Sequence, residues 1–370
     1  MTFQMELPRR VVFGENALER IAEHFGAIRR VLIVCGPSAV RGGLIERVRR
    51  AAPGVEFFLF DRIAPEPTLA LLDGGCACLR DVRAEGVLAL GGGSAMDVAK
   101  VAAAIAPENG PAEDYFYKRR AVPPRKLFFA ALPTTAGTGA EATPNAVLID
   151  EATGIKQSIR SPYLLPDLAL VDPVLTVGCP PRVTAASGMD ALTQGLESYW
   201  SRKASEPTRA LALAGVKLIW NHLAAAWRDG SDLAARSAVA EGTLLGAMAF
   251  ASSGLGAVHG LAHPVGAKTH LGHGLVCGVL LPAVMRWNLS AAEAPMREIA
   301  AALGLAGPAE LIRGVEELLA AMELPPRLGP LGLKEADFDW IVAHSRSGSM
   351  KCNPRDFSDD ELRKILEEVC

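Results

Sequence analysis

The chain has 370 residues, half of them apolar, with 38 Lys+Arg against 41 Asp+Glu and a formal net charge of −3. That length buries a large core and suits two domains. The near-neutral, interspersed charge excludes the basic footprint of a nucleic-acid binder and a polybasic membrane-facing stretch.

The N-terminal MTFQMELPRR lacks the apolar core of a secretory signal, and no run of eighteen apolar residues is free of charges and glycine breaks. Seven cysteines are scattered, and their one close pair, Cys76 and Cys78, has the wrong spacing for a CxxC motif. A cytoplasmic protein with reduced, mostly buried thiols is therefore expected.

In the first half, buried β-rich runs alternate with amphipathic stretches, as in an α/β domain with a parallel sheet. QMELPRRVVFG reads as extended and ENALERIAEHFGA as a helix. VLIVCG reads as a buried strand before the turn GPSAVRGG, LIERVRRAA as a helix, VEFFLF as a strand, and Leu69 to Arg80 as a further helix. GVLAL then runs directly into GGGSAMDVAKVAAAIA. There Gly91, Gly92 and Gly93 allow an anion to approach the backbone closely. The N–H groups and positive dipole end of the following helix would meet it, and Ser94 adds a hydroxyl. The run is neither GxGxxG, since Met96 takes the last glycine place, nor a P-loop. By itself such a turn is more often a tight strand-to-helix connection than a ligand site. KLFFAALP empties into TTAGTGAEATPNAVLID, a polar loop where ligands of open α/β folds sit, although threonines are also good turn formers. GIKQSIRSPYLLPDLALVDP continues as strand and loop, and GCPPR reads as the linker.

Beyond about Pro181 the pattern turns helical. An all-helical domain over residues 181–370 is expected to pack on the α/β domain of residues 1–180, with the cleft between them as the default site. Within the helical half, VHGLAHPVGAKTHLGH from Val258 to His273 holds four of the seven histidines. His259 and His263 stand four apart, on one helical face, and His273 follows a glycine-interrupted turn that brings a third ring back toward them. Clustered neutral imidazoles suit Fe, Zn, Ni or Cu. One histidine alone in so apolar a segment more often satisfies backbone groups, and a metal site needs a further ligand from elsewhere. Asp190, in ASGMDALTQGLESYWS, offers that oxygen; an isolated Asp near a helix start is more commonly a cap.

Together these pieces resemble the iron-containing (group III) alcohol dehydrogenases, relatives of glycerol dehydrogenase and dehydroquinate synthase, over nearly the whole chain. In order, the resemblance is carried by FGENAL, GGGSAMDVAK, LPTTAGTGAE, PDLALVDP, ASGMDALTQGLESY, VHGLAHPVG with its trailing HG, and NPR at Asn353 to Arg355. It implies a dehydroquinate synthase-like fold, with an α/β N-terminal dinucleotide-binding domain and an all-helical C-terminal domain. The implied protein is a homodimeric, metal-dependent, NAD(P)-linked alcohol dehydrogenase or aldehyde reductase. Gly92, Gly93 and Ser94 would hold the pyrophosphate. Thr134, Thr135, Thr138, Asn145, Lys156 and Leu175 match positions lining ribose and nicotinamide. Asp190, Gln194, His259 and His273 match the ligands of one divalent metal, Fe(II) or Zn(II). His263 matches the histidine beside nicotinamide and substrate, the expected catalytic proton relay.

Two departures matter. Gln194 stands where the family has a ligand histidine, and an amide oxygen is a neutral, weaker donor. Either the metal persists on three strong ligands plus the amide or water, or the site is altered; His270, at a place where the family does not ordinarily use a ligand, is the less favoured substitute. A metal-independent reductase of the maleylacetate reductase type, a cofactor-binding relative without catalysis, and a dehydroquinate synthase-type lyase stay open as alternatives. Gly36 stands where the family often has an Asp that holds the adenosine ribose and repels a 2′-phosphate. With Ser38 and Arg41 nearby, NADP(H) is expected at least as readily as NAD(H). The other reading is that Gly36 only makes the turn.

Overall fold

The computed structural model describes residues 3–108 and 110–370. The chain forms two compact units: one is Glu6–Thr135 with Gly139–Cys179, the other Pro180–Cys370 with residues 3–5 and the short segment Ala136–Thr138. The division is therefore not a single cut in sequence, and Thr138 belongs with the helices.

Among its described residues the first unit holds eight strands: β1 (Val11–Phe13), β2 (Arg30–Cys35), β3 (Glu56–Phe60), β4 (Gly86–Gly91), β5 (Phe128–Pro133), β6 (Asn145–Asp150), β7 (Ile155–Arg160) and β8 (Leu168–Val171). Six form a parallel sheet in the order β1-β8-β5-β4-β2-β3, and β6 and β7 pair as a separate antiparallel hairpin. The central strands are apolar on both faces, as a sheet covered on both sides requires. Leu32 and Val34 enter one core with Val87 and Ala89, while Val31 and Ile33 enter the opposite core with Leu88 and Leu90.

Among the described residues this sheet is accompanied by α1 (Ala22–Phe25), α2 (Pro37–Arg41), α3 (Leu44–Ala51), α4 (Leu69–Asp81), α5 (Gly93–Ile105) and α6 (Ala112–Phe116). α4 and α5 bury Leu72, Val98 and Ala102 on one face, and α3 buries Ile45 and Val48 on the other. Three readings of the sequence change. The helix expected over ENALERIAEHFGA is broken into a 3-10 turn, Ala17–Arg20, and the four-residue α1. Asn16 before it and Gly26 after it both have positive φ, which halts a right-handed helix. The turn GPSAVRGG contains α2, begun by Pro37 and stopped by Gly42 and the left-handed Gly43. GIKQSIR joins the hairpin, outside the main sheet.

The second unit contains α7 (Pro181–Trp200), α8 (Glu206–Arg228), α9 (Leu233–Ser253), α10 (Ala257–Thr269), α11 (His273–Ala302), α12 (Pro308–Ala321), α13 (Phe338–His344) and α14 (Asp359–Val369), with no strand among the described residues. Its core joins Met189, Leu192 and Leu196 of α7 to Val216 and Ile219 of α8, Val258 and Leu261 of α10, and Leu280 and Val284 of α11. α8 and α11 are long and apolar enough to cross a membrane by length and composition alone, although no clean apolar run of that length stood out in the sequence. Most of α11's apolar stretch is buried within the protein.

Candidate metal centre and cofactor edge

Asp190, Gln194 and Glu197 recur at intervals of four and three along α7, so they share one face, and all three are buried. Glu197, fully buried, organises what stands opposite. Its Oε1 accepts a hydrogen bond from the Val258 N–H at 2.7 Å, and the Asn353 side-chain oxygen accepts one from the Ala257 N–H at 3.1 Å. The first turn of α10 is thereby capped, with a carboxylate at its positive end. Asn353 itself is locked by a reciprocal amide pair with Asn288 of α11, at 2.9 and 2.8 Å. The second Glu197 oxygen, Oε2, lies 2.7 Å from His259 Nδ1. With Nδ1–H donating to Glu197, the Nε2 edge of the ring is left facing Asp190.

Around that edge four donors converge. Asp190 Oδ1 is 3.3 Å from His259 Nε2 and 3.8 Å from His273 Nε2. Cys277 Sγ is 3.5 Å from His273 Nε2 and 3.9 Å from His259 Nε2. The ligand atoms of Asp190, His259, His273 and Cys277 all lie within 4.8 Å of one another. Burial opposes charge on Asp190, but His273 and His259 outweigh it and hold the carboxyl below its ordinary range. Burial would likewise lower His259, yet Cys277, Asp190 and Glu197 together raise its pKa well above the usual value. Burial pushes the Cys277 thiol up to about 12.

Two polar atoms in this region have no hydrogen-bond partner: Asp190 Oδ1 and Gln194 Oε1, both buried. An unsatisfied buried acceptor costs about 1–3 kcal/mol, and native proteins tolerate few. Two imidazoles, a carboxylate, a thiol and an orphaned amide oxygen fit a divalent transition metal.

The expected ligands Asp190, His259 and His273 are thus brought together, and Gln194 stands one turn from Asp190 with its oxygen free. His263 lies outside the four-donor group, half-buried, with its ring stacked on His273 at a 4.9 Å centroid distance and 21° between planes. His270 does not join the donors. It caps α10 in a left-handed conformation, φ 56°, exposed, and turns the chain back so that α11 can begin at His273. The fourth donor of the cluster is Cys277 instead. Cysteine spacing alone passes over it, but His273 and Cys277 stand four apart on α11, the same signal that paired His259 with His263.

In the α/β unit, β2, β4 and β5 are parallel neighbours, so their carboxyl ends lie side by side. Chain order reverses between β2, which leads to β3 on one side, and β4, which leads to β5 on the other. The carboxyl edge at such a switch point is where open α/β sheets bind ligands. Gly36, Gly92 and Thr134 follow directly on those three strands. Gly92 is the N-cap of α5, so the first N–H groups of that helix, from Gly93 and Ser94, open the edge. Thr134 N–H donates to the Gly91 carbonyl at 3.0 Å, and a Cβ on Gly92 would stand 3.2 Å from Thr135 Oγ1. A Cβ on Gly36 would sit only 2.9 Å from the Ile63 carbonyl oxygen, so packing alone already demands glycine there. Ser38 is exposed in α2. Leu175 is buried in the core on one face of the sheet. The other two residues lie on the hairpin: the Asn145 carbonyl accepts from Lys100 at 2.8 Å, and Lys156 pairs with Glu66 at 2.7 Å.

Comparison with known proteins places this arrangement among relatives. The profile "Iron-containing alcohol dehydrogenase" matches residues 8–173, and "Fe-containing alcohol dehydrogenase family, C-terminal" matches residues 184–370. The chain is similar to alcohol dehydrogenase 4 of Saccharomyces cerevisiae, 36% identical over 370 residues that cover 96% of each chain. It superposes on a solved 1,3-propanediol oxidoreductase with a TM-score of 0.94 and 31% identity, covering 100% of both chains. With sulfoacetaldehyde reductase from Bifidobacterium kashiwanohense, solved in complex with NAD+, the TM-score is 0.95 at 29% identity, covering 100% of this chain and 99% of the other.

Proposed function

The chain belongs to the iron-containing alcohol dehydrogenase family, and on that premise we propose that it interconverts a small alcohol and its aldehyde or ketone using NAD(P) and one divalent metal, Fe(II) or Zn(II). The observation that carries this reading is the buried donor cluster with Asp190 Oδ1 unpartnered. When bound, the metal supplies Lewis acidity that polarises the substrate oxygen, and the nicotinamide supplies or accepts hydride.

The protein's part is to hold and orient. Asp190, His259 and His273 hold the metal, and Glu197 fixes the His259 ring. His263, stacked on His273, relays a proton between substrate oxygen and water, since only an imidazole titrates near neutrality unaided. Gly92, Gly93, Ser94, Thr134 and Thr135 present backbone N–H groups and hydroxyls to the dinucleotide, with Thr138, Asn145, Lys156 and Leu175 as further contacts. Gly36 leaves no carboxylate to repel a 2′-phosphate, and Ser38 and Arg41 offer it a hydroxyl and a cation, which supports NADP(H) at least as readily as NAD(H). The seven free cysteines accord with a reducing cytoplasm, and the resemblance supports a homodimer.

The test follows oxidation of NADH and NADPH with a panel of short aldehydes. Enzyme is taken as purified, after chelation, and after chelation with Fe(II) or Zn(II) restored. Chelation is expected to abolish turnover and metal to restore it. Turnover indifferent to chelation would place the chain with the metal-independent reductases, and binding without turnover with the inactive relatives. A tenfold or greater preference for NADH, roughly 1.4 kcal/mol of transition-state discrimination, would overturn the cofactor reading.

A further inference from the structure

We infer that Cys277 is itself a metal ligand, binding as a thiolate in compensation for the histidine that Gln194 replaces. The inference rests on the metal-dependent reading above and concerns which side chains make up the protein's share of the sphere, a further position being left for the substrate oxygen. Four donors at bond lengths of about 2.0–2.3 Å from a common centre, arranged as a tetrahedron, stand roughly 3.3–3.8 Å apart. The Asp190, His259, His273 and Cys277 atoms already sit at 3.3, 3.8, 3.5 and 3.9 Å along the four contacts that join them. A cysteine that served only as a small apolar filler would face carbon. The fully buried Cys277 faces two imidazole nitrogens in a cluster completed by a carboxylate, and Asp190 Oδ1 has no hydrogen bond.

The sequence explains how the sulfur is brought so close. A Cβ on Gly274 would lie 2.2 Å from the Ala186 carbonyl oxygen and 3.2 Å from Asp190 Cβ. Only glycine there lets the start of α11 press against α7 at the height of Asp190. His273 and Cys277, one turn apart on that segment, are carried in with it. As the sulfur–metal bond forms, the S–H bond breaks and its proton leaves to solvent. The Asp190 carboxylate and the Cys277 thiolate then neutralise a divalent cation, whereas Asp190 with the neutral Gln194 amide would leave it one positive charge. Thiolate in place of imidazole also moves the site toward softer metals, Zn(II) ahead of Fe(II).

Cobalt(II) alone is the probe, because a thiolate bound to cobalt gives a ligand-to-metal charge-transfer band in the near ultraviolet that nitrogen and oxygen donors do not. Stripped full-length protein is loaded with Co(II), and stoichiometry and spectrum are read together. The expected result is one Co(II) per chain with the band present in the unsubstituted protein and in Gln194→Ala. In Cys277→Ser the band is lost while Co(II) stays bound, and Zn(II) affinity by chelator competition falls at least tenfold. Bound Co(II) without the band in the unsubstituted protein overturns the thiolate assignment and leaves the metal reading standing, and this holds even if Cys277→Ser fails to fold. A band that survives in Cys277→Ser, or an unchanged Zn(II) affinity there, overturns it as well. Failure of the unsubstituted protein to bind any Co(II) takes down the metal-dependent reading beneath it.

Discussion

Each unit buries a polar cluster, and the two are completed differently. In the α/β unit Lys100 is wholly buried, and its ammonium donates to the carbonyls of Ala140 at 2.7 Å, Thr143 at 3.1 Å and Asn145 at 2.8 Å. Asp97, 3.8 Å from that ammonium, accepts from the Val147 N–H at 2.9 Å. Three ammonium hydrogens meet three carbonyls, and the knot closes on itself, fastening the segment that leads into β6 onto α5. In the helical unit Asp190 and Gln194 keep acceptors without donors. Two clusters built around buried polar groups thus differ in what they need: the first is complete as folded, and the second is complete only with a ligand.

The largest effect that separates them comes from Asp190→Asn. We expect metal content to collapse by elemental analysis and kcat/KM with an aldehyde to fall about 10³-fold, roughly 4 kcal/mol, with the metal-free fold at least as stable as before. Retained metal and activity would erase the distinction. Lys100→Met should do the reverse. Stranding three carbonyls and Asp97 lowers stability by about 3 kcal/mol in denaturant melts, while metal per chain is unchanged. A variant with normal stability and lost metal would show the knot to be part of the site.

A smaller effect involves Glu141, buried beside the same knot, whose carboxyl burial pushes up to about 7 against the opposing pull of its own backbone N–H and Lys100. The folded protein therefore keeps a proton that the unfolded chain, at the ordinary 4.5, has released. This contribution to stability is fully present below about 4.5 and is lost as pH rises through about 7. Glu141→Gln should flatten that decline, shrinking the Tm difference between about pH 5 and pH 8 by about 2 °C. Parallel melting profiles for the two proteins would remove Glu141 from the account.

What the sequence disclosed follows the reach of each interaction. VLIVCG, GVLAL and KLFFAALP are legible as strands because burial on both sheet faces writes an unbroken apolar run. The GGGS turn is legible because a strand, glycines and a helix start follow one another in one line of text. Asp190, His259 and His273 became legible through family motifs. Cys277 stayed hidden because its partners at 190 and 259 lie on other helices, and scattered cysteines are read by pairs. Glu197 gave no local signal at all: the His259 ring it orients is 62 residues away. The broken helix after Asn16 escaped because amphipathic spacing persists through a backbone reversal that only φ records.

The Asn353 amide carries a consequence for biosynthesis. It caps an α10 N–H that lies 96 residues upstream, so a nascent chain exposes Asp190, His259, His273 and Cys277 well before the residue that pins the start of α10 exists. Until then Glu197 alone caps the first turn of α10, and non-local contacts of the span that Asn353 makes form late. The cap over α10 is consequently completed only after translation has passed residue 353, and a cation captured earlier would meet a centre beside a helix start not yet fully capped.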